Sequence, residues 1–477
     1  MVFELKQMKW SVVAVVLSGA MYFFGTGLHP HWYLTWLAPL PVLLMATRVA
    51  SWRALFVATT AYAIGSTNIW TYYREFMSVP SALLVVVGVS LLFGLIVLVF
   101  RRFALRGQLF QAMFSVPLLW VAFQYLQEFR SVDSTFGNLA YTQMDFVPVL
   151  QIASITGIWG VCFMLFFLPA AIAVLFLPGT PVQRRNIAIT AGCILVVVLG
   201  FGMYRMHEVV ESPRVTVGLI ATDVERTLFP RGPATVELVK QYSAHVPELV
   251  AQGAQVVIIP EKIGRIAGVD LDRADAIWGT VAREQRVTIA VSFEHQPNLH
   301  EMRIYSPDGA LEGTYEKHHL LPPFESHLLP GTMRLVLERP SGKWGTEICK
   351  DMDFPQLSRQ YGNDGIGLLL VPAWDFVTDG WLHGRMAILR GVESGFSIAR
   401  APKQGVLTVT DDRGRVLAER DTASAPFATL VASVPVRNDR TFYDRAGDWF
   451  AWLDLVFVAI LFASFPYHKA PVPRAIS

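Results

Sequence analysis

The chain has 477 residues, of which 53% are hydrophobic and only 16% charged, and its mean hydropathy is +0.41. Soluble domains carry roughly 25% charged residues, so the composition excludes a wholly soluble protein, and a net charge of +2 leaves no basic stripe for nucleic acid. Three cysteines, Cys162, Cys193 and Cys349, exclude a disulfide scaffold and a zinc ribbon.

Six acidic residues precede position 211 (Glu4, Glu75, Glu128, Asp133, Asp145 and Glu208), leaving 32 of the 38 for the rest. The chain therefore divides into a membrane part and a more polar part. A bilayer needs about 20 apolar residues in a helix. Such runs lie near Trp10–Thr26, Tyr33–Thr47, Ala54–Tyr72, Ser81–Phe100, Leu109–Gln127, Phe146–Leu177 and Ile187–Met203, with a last one near Trp449–Pro466. Trp10, Trp32, Trp36, Trp449 and Trp452 fall near span ends, where amphipathic rings favour the interface. Lys6, Lys9, Arg48, Arg53, Arg101, Arg102, Arg106, Arg184, Arg185, Lys469 and Arg474 share one side if the spans alternate. Only Arg74 and Arg130 occupy the opposite short loops. Both termini are thus expected in the cytoplasm, and seven crossings deliver the segment after Tyr204 to the outside. Asp454, inside the last span, is costly in lipid unless it lies near the interface.

The expected division is 1–210 as a membrane domain of seven helices, 211–440 as a mixed α/β domain, and 445–477 as a closing span with a cytoplasmic tail. Val215–Ile220 reads as a strand, Ala234–Ala251 as a helix, and Gln255–Ile259 as a buried strand stopped by Pro260. Leu271–Gln285 reads as a helix and Val287–Phe293 as a strand. Met302–Tyr305 and Leu311–Tyr315 flank Pro307-Asp308-Gly309, a hairpin turn. Gly345–Ile348 is a short strand into Cys349. Pro355–Tyr361 reads as a helix capped by Asp353, Gly367–Val371 as a strand and Trp381–Ser394 as a helix. The final strands turn at Asp412-Arg413-Gly414. Alternating elements predict a layered α/β domain.

Three polar residues end three of these strands: Glu261, Lys317 and Cys349. Strand ends are where side chains converge on a shared cleft. A thiol needs deprotonation to attack a carbonyl; a carboxylate accepts that proton, and an ammonium stabilises the anion that forms. The ordered set, with Pro260-Glu261-Lys262, the Tyr315–Glu325 stretch and Glu347–Pro355 around it, resembles the Glu-Lys-Cys pattern of the nitrilase (carbon-nitrogen hydrolase) superfamily.

The flanks Phe136–Gln143 and Gln151–Gly160 resemble the membrane half of bacterial apolipoprotein N-acyltransferases, so the likeness covers almost the whole chain. It implies a multi-span α-helical membrane domain plus an α/β nitrilase-like domain, an α-β-β-α sandwich on the outer face of the inner membrane. The implied reaction takes an acyl chain from a phospholipid as a cysteine thioester and passes it to the N-terminal amine of a diacylglyceryl-cysteine lipoprotein. Glu261 is then the general base, Lys317 the oxyanion stabiliser and Cys349 the nucleophile, with Glu325 and Asp351 supporting; Trp374 is a candidate substrate-binding residue. Lys350 stands where the family has an aromatic residue, and Pro372–Phe376 replaces the usual Thr-Asn-Asp-x-Trp-Phe. The alternatives are a membrane-tethered amidase using the same cysteine, favoured by the short Glu325–Cys349 stretch, and a catalytically idle scaffold. No cofactor is implied, His318 and His319 have no further clustered ligand to make a metal site, Cys162 and Cys193 are expected to be packing residues, and a monomer is expected.

Overall fold

The computed structural model describes residues 2–208, 210–224, 228–295 and 297–465. Lys469, Arg474 and the expected tail therefore lie outside the described residues. Among the described residues, five helices are long and apolar enough to cross a bilayer: Gln7–Gly25, Val79–Leu105, Leu109–Glu128, Ile158–Leu175 and Pro181–His207. The remaining apolar runs are built from shorter pieces. Tyr33–Thr47 is divided into Trp32–Thr35 and Leu40–Ala46, and Ala54–Tyr72 into Ser51–Ser66 and Trp70–Phe76 around a short 3-10 turn. The long Phe146–Leu177 run breaks at Gly157, whose φ of +64° starts the Ile158–Leu175 helix; a Cβ there would also strike the Tyr443 ring. The closing helix is Trp449–Ala463. Apolar side chains such as Leu84, Val196 and Val197 are exposed on the bundle surface, as lipid contact requires, while Trp120 and Trp159 fill its interior.

The second half folds around two sheets. Its strands are β1 (Arg214–Ala221), β2 (Val256–Ile258), β3 (Arg265–Ile266), β4 (Thr288–His295), β5 (Leu299–Tyr305), β6 (Leu311–Glu316), β7 (Val336–Leu337), β8 (Lys343–Thr346), β9 (Ile366–Trp374), β10 (Ser397–Lys403), β11 (Val406–Thr410), β12 (Val416–Asp421) and β13 (Ala428–Pro435). One sheet runs β13-β1-β2-β4-β5-β6 with β3 on β4; the other runs β12-β11-β10-β9-β8-β7. The facing sides share a core in which Val217, Leu219 and Ile258 meet Leu368, Leu370 and Leu407. Pro233–Ala251 and Val269–Gln285 cover the outer face of the first sheet, where Tyr242 and Trp278 are fully buried. Pro355–Asp364 and Gly380–Ser394 cover the second. The domain is an α-β-β-α sandwich, and each sheet is buried on both faces because each strand pair of its parallel part needs a covering crossover helix.

The Gly380–Ser394 helix is buried all round because it serves two cores. Ala387 packs on the sheet, while Leu382, Met386, Leu389 and Val392 join the core of the membrane bundle. Arg390 and Glu393 pair within the helix at 2.9 Å, and each also reaches across the seam: Arg390 donates to Tyr141 Oη at 3.2 Å, and the Ile158 N–H donates to Glu393 at 2.7 Å. Arg413 adds Asp439 at 2.5 Å and Glu208 at 2.7 Å, and the Gln151 amide donates to the Arg413 carbonyl. Residues of both flanking motifs, Tyr141, Gln151 and Ile158 among them, thus lie on the contact between the halves.

Three expectations are corrected. The strand before the cysteine ends at Thr346, and Cys349 opens a 3-10 turn over Cys349–Asp353. The Pro355–Asp364 helix is preceded by Phe354 as its cap residue, with no side-chain cap; Asp353 ends the 3-10 turn, and its carbonyl accepts the Thr135 hydroxyl at 2.8 Å. Cys162 is buried as expected, but Cys193 is exposed on the Pro181–His207 helix, facing outward rather than packing.

Candidate active site

Glu261 is set by its backbone. After Pro260 its N–H donates to the Ala373 carbonyl of β9 at 3.2 Å, and Lys262, at φ +43°, turns the chain away. Lys317 continues β6 by one residue, its N–H donating to the His300 carbonyl at 2.9 Å. Glu325 sits in the loop after it and accepts the Leu321 N–H at 2.8 Å. These placements bring three charges together. Lys317 Nζ donates to Glu261 Oε1 at 2.8 Å and to Glu325 Oε2 at 2.9 Å, with the lysine and Glu261 each 2% exposed.

Burial raises a carboxyl pKa, yet the Lys317 ammonium, aided by His300, outweighs it and holds both Glu261 and Glu325 below their ordinary range. The same pairing holds Lys317 well above its ordinary value against the opposing effect of burial. All three groups are charged at neutral pH. Because the glutamates titrate below their ordinary 4.5, their stabilising contribution is present above that value and lost as pH falls through the folded one. The melting-temperature gap between the native chain and Glu325→Gln should therefore stay constant from pH 7.5 to about 5 and shrink below about 4.5. Tryptophan-fluorescence melts across that range check this.

Sequence reasoning missed His300. Its Nδ1 lies 3.2 Å from Glu325 Oε1 and its Nε2 3.5 Å from Glu261 Oε1, fully buried on β5. A signal existed: β5 and β6 pair Glu301 with Glu316, so the hairpin sets His300 opposite Lys317. Lys262 was missed too, and its ammonium meets Glu325 Oε1 at 2.5 Å. Glu261, His300 and Glu325 have donor atoms close enough to hold a cation. The Lys317 ammonium already stands between the two carboxylates, so the donor set is neutralised by a side chain and does not fit a resident metal.

Cys349 approaches from the other sheet. It sits at φ +45°, a left-handed conformation that costs a non-glycine residue of order 1 kcal/mol or more. Its thiol donates to the Trp374 carbonyl at 3.5 Å, one residue beyond the carbonyl that anchors Glu261. Burial and the Glu261 carboxylate push the thiol well above its ordinary range, with Lys317 and Arg400 pulling the other way. The resting group is a neutral thiol within electrostatic reach of an ionised carboxylate, charge states suited to proton transfer at the moment of attack.

Asp351 ties the lysine strand to the cysteine turn. It accepts Tyr315 Oη at 2.7 Å, the N–H groups of His319 and His318 at 2.8 and 3.2 Å, and the Ile348 N–H at 3.1 Å. Burial opposes its ionisation, but the His319 bond and charge hold it below its ordinary value. His318 and His319 are thus absorbed in packing, His318 stacked on Tyr315 and His319 on Phe354. Trp374 ends β9; the Lys403 ammonium lies 3.5 Å over its ring, and its indole N–H donates to Gln404. Lys403, the second missed lysine, also donates to the carbonyls of Leu228 and Lys262 at 2.5 and 2.9 Å.

Lys350, beside the thiol, reaches across the seam. Its buried ammonium lies 2.5 Å from Asp133, in the loop after Leu109–Glu128, and 3.7 Å from Asp353. Gln356 donates to Glu128 at 2.9 Å in the same place. The turn carrying the thiol is thereby pinned to the membrane bundle. A double-mutant cycle of Lys350→Met and Asp133→Leu should show a coupling of about 1 kcal/mol in stability, read from denaturant unfolding. Strict additivity would mean that the pair does not hold the turn to the bundle.

Large apolar side chains close to the site residues in the chain are exposed. Phe324, Leu329, Met333 and Val377 are 54%, 56%, 77% and 76% exposed. Phe76, at the end of Trp70–Phe76, meets Phe376 edge-on at 4.5 Å, so the segment after Trp374 leans on the membrane bundle.

Residues 18–171 match the family described as apolipoprotein N-acyltransferase N-terminal domain, and residues 233–425 match carbon-nitrogen hydrolase. Among curated proteins, the apolipoprotein N-acyltransferase of Geobacter metallireducens is 27% identical over 94% of this chain and 94% of its own length. That of Haemophilus ducreyi is 24% identical over 92% and 93%, and that of Agrobacterium fabrum 25% identical over 72% and 71%. Among solved structures, an amidase from Nesterenkonia sp. is similar at 20% identity and a TM-score of 0.42, covering 51% of this chain and 98% of that one.

Proposed function

The chain belongs to the apolipoprotein N-acyltransferase family, and from that premise we propose that Glu261, Lys317 and Cys349 carry its acyl transfer. Glu261 accepts the thiol proton as Cys349 Sγ attacks an ester carbonyl of a phospholipid. The Lys317 ammonium stabilises the oxyanion that develops. Collapse expels the lysophospholipid alkoxide, which takes the proton back from Glu261 and leaves a thioester. In the second half the α-amine of a diacylglyceryl-cysteine attacks that thioester, Glu261 accepts the amine proton, and the thiolate leaves and is reprotonated.

Glu325 and Asp351 act as positioning residues, the first holding Lys317 and the second joining the lysine strand to the cysteine turn. Trp374 supplies the carbonyl that orients the thiol and a ring wall for substrate. The observation that carries the reading is the Lys317 ammonium held between two buried glutamates, within electrostatic reach of a thiol on a strained turn. The exposed apolar side chains Phe324, Leu329, Met333 and Val377 support a lipid donor. Water exclusion by bound lipid favours aminolysis of the thioester over hydrolysis.

The arrangement proposed is a membrane domain over 1–210 with seven crossings, a catalytic domain over 211–440 on the outer side of the inner membrane, and a closing span within 445–477, working as a monomer. The excess of Lys and Arg on one set of loops supports that orientation. Purified protein given a phospholipid labelled in its acyl chain and a diacylglyceryl-cysteine peptide should yield mainly N-acyl peptide. Release of free fatty acid alone, or ammonia from small amides with no peptide product, would overturn the transfer reading in favour of a tethered amidase.

A further inference from the structure

A groove of about 510 Å3, lined by none of the candidate active-site residues, is bounded by Leu109–Glu128, Ile158–Leu175, Pro181–His207 and Trp449–Ala463. Phe114, Leu118, Phe163, Val198 and Phe457 give it an apolar wall. Asp454 borders it, 2% exposed, and among the described residues neither of its carboxyl oxygens has a hydrogen-bond partner. Its polar neighbours on the same helix are all engaged. The Trp449 indole donates to the Ile155 carbonyl at 2.7 Å, the Trp452 indole to Tyr125 Oη at 2.6 Å, and the Ser464 hydroxyl to the Leu461 carbonyl. A carboxyl left unpaired against hydrocarbon is strongly disfavoured, so its persistence points to a ligand that supplies the missing partner.

Position and chemistry together specify that ligand. Asp454 lies five residues past Trp449, about 7.5 Å down the helix from the interfacial tryptophan. It therefore stands at the head-group end of the groove, on the side of the α/β domain, with the wall running down past Phe457 to Ser464. A carboxylate in an apolar wall calls for positive charge and an N–H donor at once. We infer that the groove holds one phospholipid with a primary ammonium head, its N–H groups donating to Asp454 and an acyl chain filling the wall. None of Glu261, Lys317, Glu325 and Cys349 lines the groove, so this lipid is distinct from an acyl donor.

The test uses the full chain in nanodiscs with three phospholipids carrying a photoreactive diazirine in the acyl chain. Their heads are a primary ammonium, a trimethylammonium and a glycerol, and cross-links are mapped by peptide mass spectrometry. The ammonium lipid should label Trp449–Ala463 and Ile158–Leu175 about tenfold more than the glycerol lipid. The trimethylammonium lipid, which has charge but no donor, should fall between them. Asp454→Asn should bring all three heads within about twofold of one another. Equal labelling by the three heads on the native chain means annular lipid only and overturns the proposal, as does an ammonium preference that survives Asp454→Asn. The head-group series on the native chain decides the matter even where that variant does not fold.

Discussion

Cys349→Ala should form no thioester with a labelled phospholipid, and N-acyl transfer should fall by about 10^4-fold or more, since removal of a covalent nucleophile leaves only binding and charge stabilisation. Cys349→Ser should fare little better, because a hydroxyl yields its proton far less readily than a thiol. Both variants should remain folded. The thiol makes one long contact, to the Trp374 carbonyl, and the turn is held independently by Asp351 and Lys350. Alanine at φ +45° is strained much as cysteine is, so the melting temperature should move little. Acylation of the alanine variant at the native rate would remove Cys349 from the reaction.

Lys317→Met should damage both activity and stability, and it separates this site from a merely structural ion pair. Without the ammonium, Glu261 and Glu325 face each other with no compensating charge on that side, leaving His300 between them and Lys262 on Glu325 alone. Breaking a buried pair by removing one partner costs about 3–5 kcal/mol. Loss of the oxyanion stabiliser should lower transfer a further 10²–10³-fold, roughly, in the fraction that stays folded. The pH dependence should also change sign. In the variant one glutamate is forced above its ordinary pKa, so that group stabilises the fold below the unfolded value and loses its effect as pH rises. The variant should melt higher at pH 5 than at pH 7.5, opposite to the contribution these glutamates make in the native chain. A variant whose melting temperature is flat across that interval would mean that Glu261 and Glu325 are not coupled through Lys317.

Much of the layered domain was legible because its strands are continuous apolar runs and its helices carry a 3.6-residue period. Pro233–Ala251 and β1 fall within a residue or so of their expected bounds. The misjudged places are those where local signals compete with tertiary contacts. Asp353 has the side chain of a helix cap, yet its carbonyl is drawn to Thr135 in the other half of the chain, and Phe354 takes the cap position while the helix starts at Pro355 as expected. Lys350 reads as a departure from the family's aromatic residue, and only the fold shows that it meets Asp133, 217 positions away. His300 was within reach of the hairpin register, whereas Lys403 was not, because it arrives by a parallel strand after a crossover helix.

What the linear order determined by itself was the division into an apolar and a polar half, the order of most strands and helices, and the three residue types from which an acyl-transfer site can be assembled. Hydrophobic periodicity and chain punctuation are local properties, so they survive without coordinates. What only the tertiary structure decided was the electrostatic state of those groups. A pKa depends on distance and burial, and the ammonium shared by two glutamates, the histidine between them and the pinning of the thiol's turn to the bundle all arise from strands and loops far apart in the chain.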